Sequence, residues 1–171
     1  MDSTTLRALQ APLKDRYRAE PAAAVVALRA QGALDESKIA CKVETGRALA
    51  VAGLHPATGG SGAELCSGDM LLEALVACAG VTLKAVATAI DMPLRGGRVR
   101  AEGDLDFRGT LGVAKDAPVG FRAIRLNFEI DSDASPEQIA TLLKLTERYC
   151  VVLQTLRNPP SLTATVAAAT R

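Results

Sequence analysis

Tryptophan is absent from this 171-residue chain, and the only other aromatic side chains are two Tyr and three Phe. So few rings leave little to stack on a nucleobase or to form a carbohydrate platform. Charge of one sign is not in excess either: 20 Lys and Arg stand against 19 Asp and Glu. No basic stretch stands out, which argues against nucleic acid as a partner. His55 is the single histidine. With no second histidine and no cysteines paired at ligand spacing, no metal site is expected. A Cys–His hydrolase would need His55 beside a nucleophilic cysteine. The N-terminus, MDSTTLRALQAPLKDRYRAE, lacks the apolar core of a signal peptide, so the expected location is cytoplasmic. In that compartment the four cysteines read as thiols or redox groups, not as structural disulfides.

What the chain does have is one long apolar helix pattern, SGDMLLEALVACAGVTLKAVATAID, from Ser67 to Asp91. Ser67 is placed to cap it, Asp69 complements the dipole in the first turn, and Pro93 ends it. No charge interrupts the stretch between Glu73 and Lys84, so most of its surface asks for burial. Those two charges and the many alanines mark a buried soluble helix, not a membrane span. Cys78 lies in it among Ala77, Ala79 and Gly80, small neighbours that let another backbone come close to the thiol.

Before this helix, Leu6, Leu9 and Leu13 fall at helical spacing. A second helix is expected from Pro21 through Leu28, closed by Gly32. Residues 1–35 thus read as a helical N-terminal extension, and 36–171 as the main domain. From Lys38 the period changes to two. Ile39, Cys41 and Val43 form one strand, Thr45-Gly46 a turn, and Arg47 to Gly53 a second strand of a hairpin. The segment HPATGGSGAELCSGD is a glycine-rich loop without the Gly-Lys-Ser/Thr that closes a phosphate loop. After Pro93, Val99, Ala101, Gly103, Leu105 and Phe107 alternate with charged residues in a half-buried strand. A second strand places Ile124, Leu126, Phe128 and Ile130 inward, with a bulge near Arg122 bringing Phe121 into phase. Ser135-Pro136-Glu137 starts a helix that runs with an apolar stripe through Cys150 to Asn158-Pro159-Pro160. Ser161 to Ala168 suits a last short strand. No internal repeat and no second domain are seen.

Cys78 and Cys150 each fall on the apolar stripe of one main helix. On spacing alone they read more readily as small core hydrophobes than as a facing thiol pair. Cys41 reads as a core thiol on a strand. Cys66 reads as an incidental thiol, although a helix N-terminus can activate one.

From about Lys38 to Val166 the chain resembles the OsmC/Ohr family, the osmotically inducible and organic-hydroperoxide-resistance proteins. The motifs are the Gly-rich lead-in, SGDMLLEALVACAGVTL with Cys78, the alternating strand pair, and TERYCVVLQTL with Cys150. The resemblance implies an α+β fold, with antiparallel strands packed around two main helices in an intertwined homodimer. It also implies a thiol peroxidase. Cys78 would attack an organic hydroperoxide and become a sulfenic acid, and Cys150 would condense with it to a disulfide. A dithiol, lipoyl-type or other, would reduce the pair, and no cofactor is implied. In the peroxidase branch an arginine near the first hairpin, held by a glutamate, supports the thiolate. Arg47 matches the arginine. Gly68 stands at the glutamate position, and Asp69 after it is the substitute. Val151 follows Cys150 where that branch commonly has proline. A thiol in mid-helix gains little from its own dipole, and burial raises its pKa, so the resemblance looks to Arg47 for charge. The alternative is a non-catalytic protein of the same fold that binds an apolar ligand or partner, or senses redox state.

Overall fold

The computed structural model describes residues 2–20, 31–34, 40–44, 49–112 and 114–167, with some side chains inside the first helix and the first strands left out. In chain order the elements are α1 (Ser3–Ala19), β1 (Gln31–Leu34), β2 (Ala40–Glu44), β3 (Leu49–Gly53), a 3-10 turn (Pro56–Thr58), β4 (Leu65–Cys66) and α2 (Ser67–Ala89). They continue with β5 (Gly96–Asp104), α3 (Phe107–Thr110), β6 (Ala123–Asp131), α4 (Pro136–Tyr149) and α5 (Val151–Arg157). Helices and largely antiparallel strands mix in one α+β architecture, as expected.

Two sheets form. One has the order β1-β2-β3-β4, antiparallel except for the short parallel pair β3–β4. The other is the β5–β6 hairpin, in unbroken register from Gly96 opposite Asp131 to Asp104 opposite Ala123. Its inner side carries Val99, Ala101, Ile124, Leu126 and Phe128, all packed on α2. Its outer side is solvated by ion pairs, Arg125 with Glu102 and Asp104, and Arg100 with Glu129. Exposed pairs of this kind add little stability each.

The core follows α2. Leu75 and Ala79 pack on Cys150, and one turn further on Leu83, Val86 and Ala87 pack on Leu142 and Met92. Each fully buried leucine here contributes roughly 2 kcal/mol of transfer free energy. Thr146, also fully buried, donates its hydroxyl to the Leu142 carbonyl at 2.8 Å, so no polar atom is stranded. By length (23 residues) and mean hydropathy (1.8) alone α2 could span a bilayer, a test that core helices also pass. The face holding Leu75, Ala79, Leu83 and Val86 is covered by α4, α5 and β5. At its C-terminal end Arg7 of α1 donates to the Ala89 carbonyl and pairs with Asp91 at 2.7 Å. That contact fastens the N-terminal helix. Leu6 is half-buried, whereas the Leu9 and Leu13 side chains lie outside the described residues.

The structure corrects the sequence reading at six places. Gly32 does not end a helix: it lies in β1, paired with Val43. The expected helix from Pro21 to Leu28, the strand start at Lys38 and Ile39, and the turn Thr45-Gly46 with Arg47 are outside the described residues. Cys66, not Ser67, is the N-cap of α2, and it makes no side-chain capping bond. β5 stops at Asp104, because the Asp106 carboxylate accepts from the Arg108 N–H and turns Phe107 into α3. No bulge interrupts β6. Phe121 precedes the strand and covers Gly103, where a Cβ would sit 2.4 Å from its ring. The expected last strand is not formed over 161–167: the chain there is irregular, with Leu162 and Val166 almost fully exposed. Finally, the last long helix is two helices, broken at Cys150.

Candidate active site

Ser135 opens α4 with a capping box, its hydroxyl accepting from Gln138 N–H and the Gln138 amide oxygen accepting from Ser135 N–H. The helix then runs to Tyr149 and stops. Cys150 has φ −72° and ψ 106°, extended backbone, and serves as both C-cap of α4 and N-cap of α5. Its own N–H still bonds the Thr146 carbonyl at 2.9 Å. The Val151 and Val152 N–H groups that follow form no backbone bond back to α4.

Cys78, half-buried on α2, packs against the cluster that holds Cys150, with Val152 and Leu153 on the same cluster, and the Val152 and Val151 N–H groups, the Cys150 thiol and the Thr82 hydroxyl all favour its charged form. Thr82 lies one helical turn beyond Cys78, on the same face. Burial is the largest single effect on the Cys78 thiol and raises its pKa. The four donors together outweigh it, and the pKa ends below the ordinary thiol value. Cys150 is fully buried and moves the other way. Burial raises it, and the adjacent Cys78 thiolate raises it further, against the Leu153 and Val152 N–H groups. The two thiols of this cluster thus shift in opposite directions, Cys78 below and Cys150 above the ordinary thiol value. Both are free.

Neutral donors from α5 act on the Cys78 thiol in the direction opposite to burial. Arg47 lies outside the described residues. Asp69 is exposed in the first turn of α2. It stands nine positions before Cys78, which is roughly 13.5 Å along the axis and half a revolution round it, so the two do not meet. His55 is engaged elsewhere. Its Nδ1 accepts from the Ala57 N–H at 3.0 Å, and its ring stacks on Phe107 with centroids 4.8 Å apart. It lines a cavity of about 360 Å³ with Cys66, Asp69 and Phe121. Cys41 lies in β2. No group of three or more His, Cys, Asp or Glu able to hold a metal exists among the described residues.

Val152 and Thr82 were not singled out from the sequence, and Val151 only because it stands where the resembled branch commonly has proline. One signal was available: two consecutive β-branched valines after Cys150 weaken a helix there. A further cavity of about 230 Å³ is lined by Leu75, Ile124, Leu126, Phe128, Leu153 and Leu156, with Glu147 and Arg157 also on its wall.

Comparison with known proteins bears on the fold and the family. No curated protein matches the sequence. Solved structures share the fold at low identity, so they inform the fold alone. An OsmC-like protein from Mycoplasma pneumoniae superposes with TM-score 0.66 and 19% identity over 78% of this chain and 89% of that one. An organic hydroperoxide resistance protein from Elizabethkingia anophelis gives 0.63 and 13% over 79% and 91%. The organic hydroperoxide resistance protein OsmC from Legionella pneumophila gives 0.61 and 14% over 79% and 92%. The family model for OsmC-like proteins matches residues 60–165, which include Cys78, Cys150 and every donor around them. The chain belongs to the OsmC-like protein family.

Proposed function

We propose that the chain is a cytoplasmic thiol peroxidase that reduces organic hydroperoxides. The observation that carries this is the packing of Cys78 against the cluster that holds Cys150, where the Val151 and Val152 N–H groups favour the Cys78 thiolate. The Cys78 thiolate attacks the outer peroxide oxygen and the O–O bond breaks. The alkoxide leaves and takes a proton as the alcohol, and Cys78 becomes a sulfenic acid. The Cys150 thiol then attacks that sulfur. Water leaves, and a Cys78–Cys150 disulfide forms. A dithiol, lipoyl-type or other, reduces it by exchange and becomes a disulfide itself. Because Cys150 already lies in the cluster that Cys78 packs against, condensation outruns further oxidation. On this reading Arg47 would be the cation for the thiolate, with Asp69 anchoring Arg47 and not touching Cys78 itself. A homodimer fits this reading. β1, β2 and β3 pair with one another and with β4, and among the described residues none packs substantially on a helix. Val81 on α2 and Val151 on α5 are exposed as well. Such uncovered surface is what a second copy would bury.

The test is thiol counting. One equivalent of cumene hydroperoxide should consume two thiols of the reduced protein and link Cys78 to Cys150, leaving Cys41 and Cys66 free. Cys78→Ser should lose fast peroxide consumption, and Cys150→Ser should react once and stall as sulfenic acid. Wild-type consumption by Cys78→Ser would rule the reading out and leave the non-catalytic ligand-binding or redox-sensing role as the account of the fold.

A further inference from the structure

In an unbroken helix the Val151 N–H would bond the Glu147 carbonyl, four residues back. Here that carbonyl has a different donor: the Gln154 side-chain amide, Nε2 to oxygen at 2.7 Å in a half-buried position. The amide orientation is fixed from its other end, where Asn158 Nδ2 donates to Gln154 Oε1 at 3.2 Å. Arg157 adds a second tie to the same residue, pairing with the Glu147 carboxylate at 2.9 Å. Gln154 N–H in turn bonds the Cys150 carbonyl at 2.9 Å and is the first regular bond of α5. The Glu147 carbonyl thus has Gln154 as its partner, and the Val151 and Val152 N–H groups, with no backbone bond back to α4, lie where Cys78 packs against the Cys150 cluster.

We infer that Gln154 is a positioning residue: by occupying the Glu147 carbonyl in place of Val151, it holds the helix open at Cys150 and leaves the Val151 and Val152 N–H groups aimed at the Cys78 sulfur. Without that amide, the Glu147 carbonyl regains its natural claim on Val151 and α4 can close through Cys150 into α5. The consequence for peroxide turnover rests on the proposed function, whereas the consequence for Cys78 ionisation does not. Among the described residues, Cys150 is the titratable group that acts on this sulfur. Glu147 and Arg157 are paired with each other, Glu73 and Lys84 of α2 are exposed, and the charges of β5 lie on the outer side of its sheet. Arg7 of α1 is paired with Asp91 at the far end of α2.

The experiment follows iodoacetamide labelling of Cys78 against pH in the intact protein, read by peptide mass spectrometry so that each cysteine is scored separately. Gln154→Met keeps the length and packing of the side chain but cannot donate, and Gln154→Ala removes it in a strong helix former. Both should move the labelling midpoint of Cys78 to higher pH and slow its labelling near neutrality by about threefold or more, while Cys66 labels as in wild type. A midpoint for Gln154→Met equal to wild type would overturn the inference, even if its melting temperature fell, because Gln154 would then be only a brace between helices. Failure of the peroxidase reading looks different: Cys78→Ser would keep peroxide consumption while Gln154→Met still shifted the midpoint.

Discussion

Replacing Val151 with proline removes one donor from the Cys78 sulfur and little else. Val151 is the first residue of α5, where proline's missing N–H costs no helical bond and its fixed φ suits the helix. Cys150 before it is already extended, with ψ 106°, as a residue preceding proline prefers. The valine side chain is 68% exposed, so little packing is lost. What goes is the Val151 N–H that favours the charged form of Cys78. A hydrogen bond to a charged group is worth about 1.5 kcal/mol at its weaker end. That corresponds to roughly tenfold less thiolate at a pH where the thiol is mostly protonated. A more basic thiolate is also a better nucleophile, which returns about half of that loss on a logarithmic scale. The net expectation is peroxide consumption about threefold slower at neutral pH. The sign is checked by pH. Above the thiol pKa both proteins are fully ionised, and Val151→Pro should then equal or exceed wild type. Stopped-flow consumption of cumene hydroperoxide from pH 5 to 10 reads both regimes. A loss of the same factor at every pH would mean damaged geometry, and no loss at neutral pH would mean the N–H does not matter. Either result would refute the idea that backbone donors from α5 set the ionisation of Cys78.

Three further outcomes are expected. Gly97→Ala should destabilise the protein by about 1–3 kcal/mol in urea titration, because its Cβ would lie 2.5 Å from the Glu129 carbonyl oxygen on the paired strand. The Arg108 guanidinium beside Asp106 lowers that carboxyl from 3.8 to about 2. Its support of α3 should therefore be present above the unfolded pKa and be lost as pH falls toward 2. Carboxyl NMR should place the midpoint near 2, moving up toward 4 in Arg108→Ala. Sedimentation at micromolar concentration should give a dimer, and a monomer would leave the β1–β3 meander without a cover.

Much of the framework was legible before the structure. The uncharged run through Ala77-Cys78-Ala79 forced a core helix, the alternation from Val99 to Gly103 forced a half-buried strand, and Ser135-Pro136 with Gln138 marked a capped start. These are local signals that the fold keeps. The break at Cys150 was hidden because the apolar stripe continues on both sides of it, and what opens the helix is a sulfur on another element plus Gln154. Phe107 fitted the strand alternation, and only the Asp106 cap diverts it. Four residues of β1, one of them glycine, carry too little pattern to outweigh a helix reading. The segment 161–167 alternates like a strand, yet nothing among the described residues pairs with it.

The packing of Cys78 against the Cys150 cluster joins points separated by about 70 residues of chain, a span that includes β5, α3, β6 and α4. A disulfide there would restrict the unfolded chain by about 4 kcal/mol in the loop-entropy view. For a protein of this size that raises the melting temperature by roughly 8–16 °C, so the oxidised form should outlast the reduced one on heating. Linkage makes the relation mutual. The fold that gains from the bond also makes the bond harder to reduce, by roughly 90 mV relative to the unfolded chain. The donors on the Cys78 sulfur pull the other way, because they stabilise the reduced thiolate. The resting potential of the pair is set by these two opposed effects. A monothiol gains no ring-closure advantage against the first, whereas a dithiol does, and that is the physical reason to look for the electron donor among dithiols.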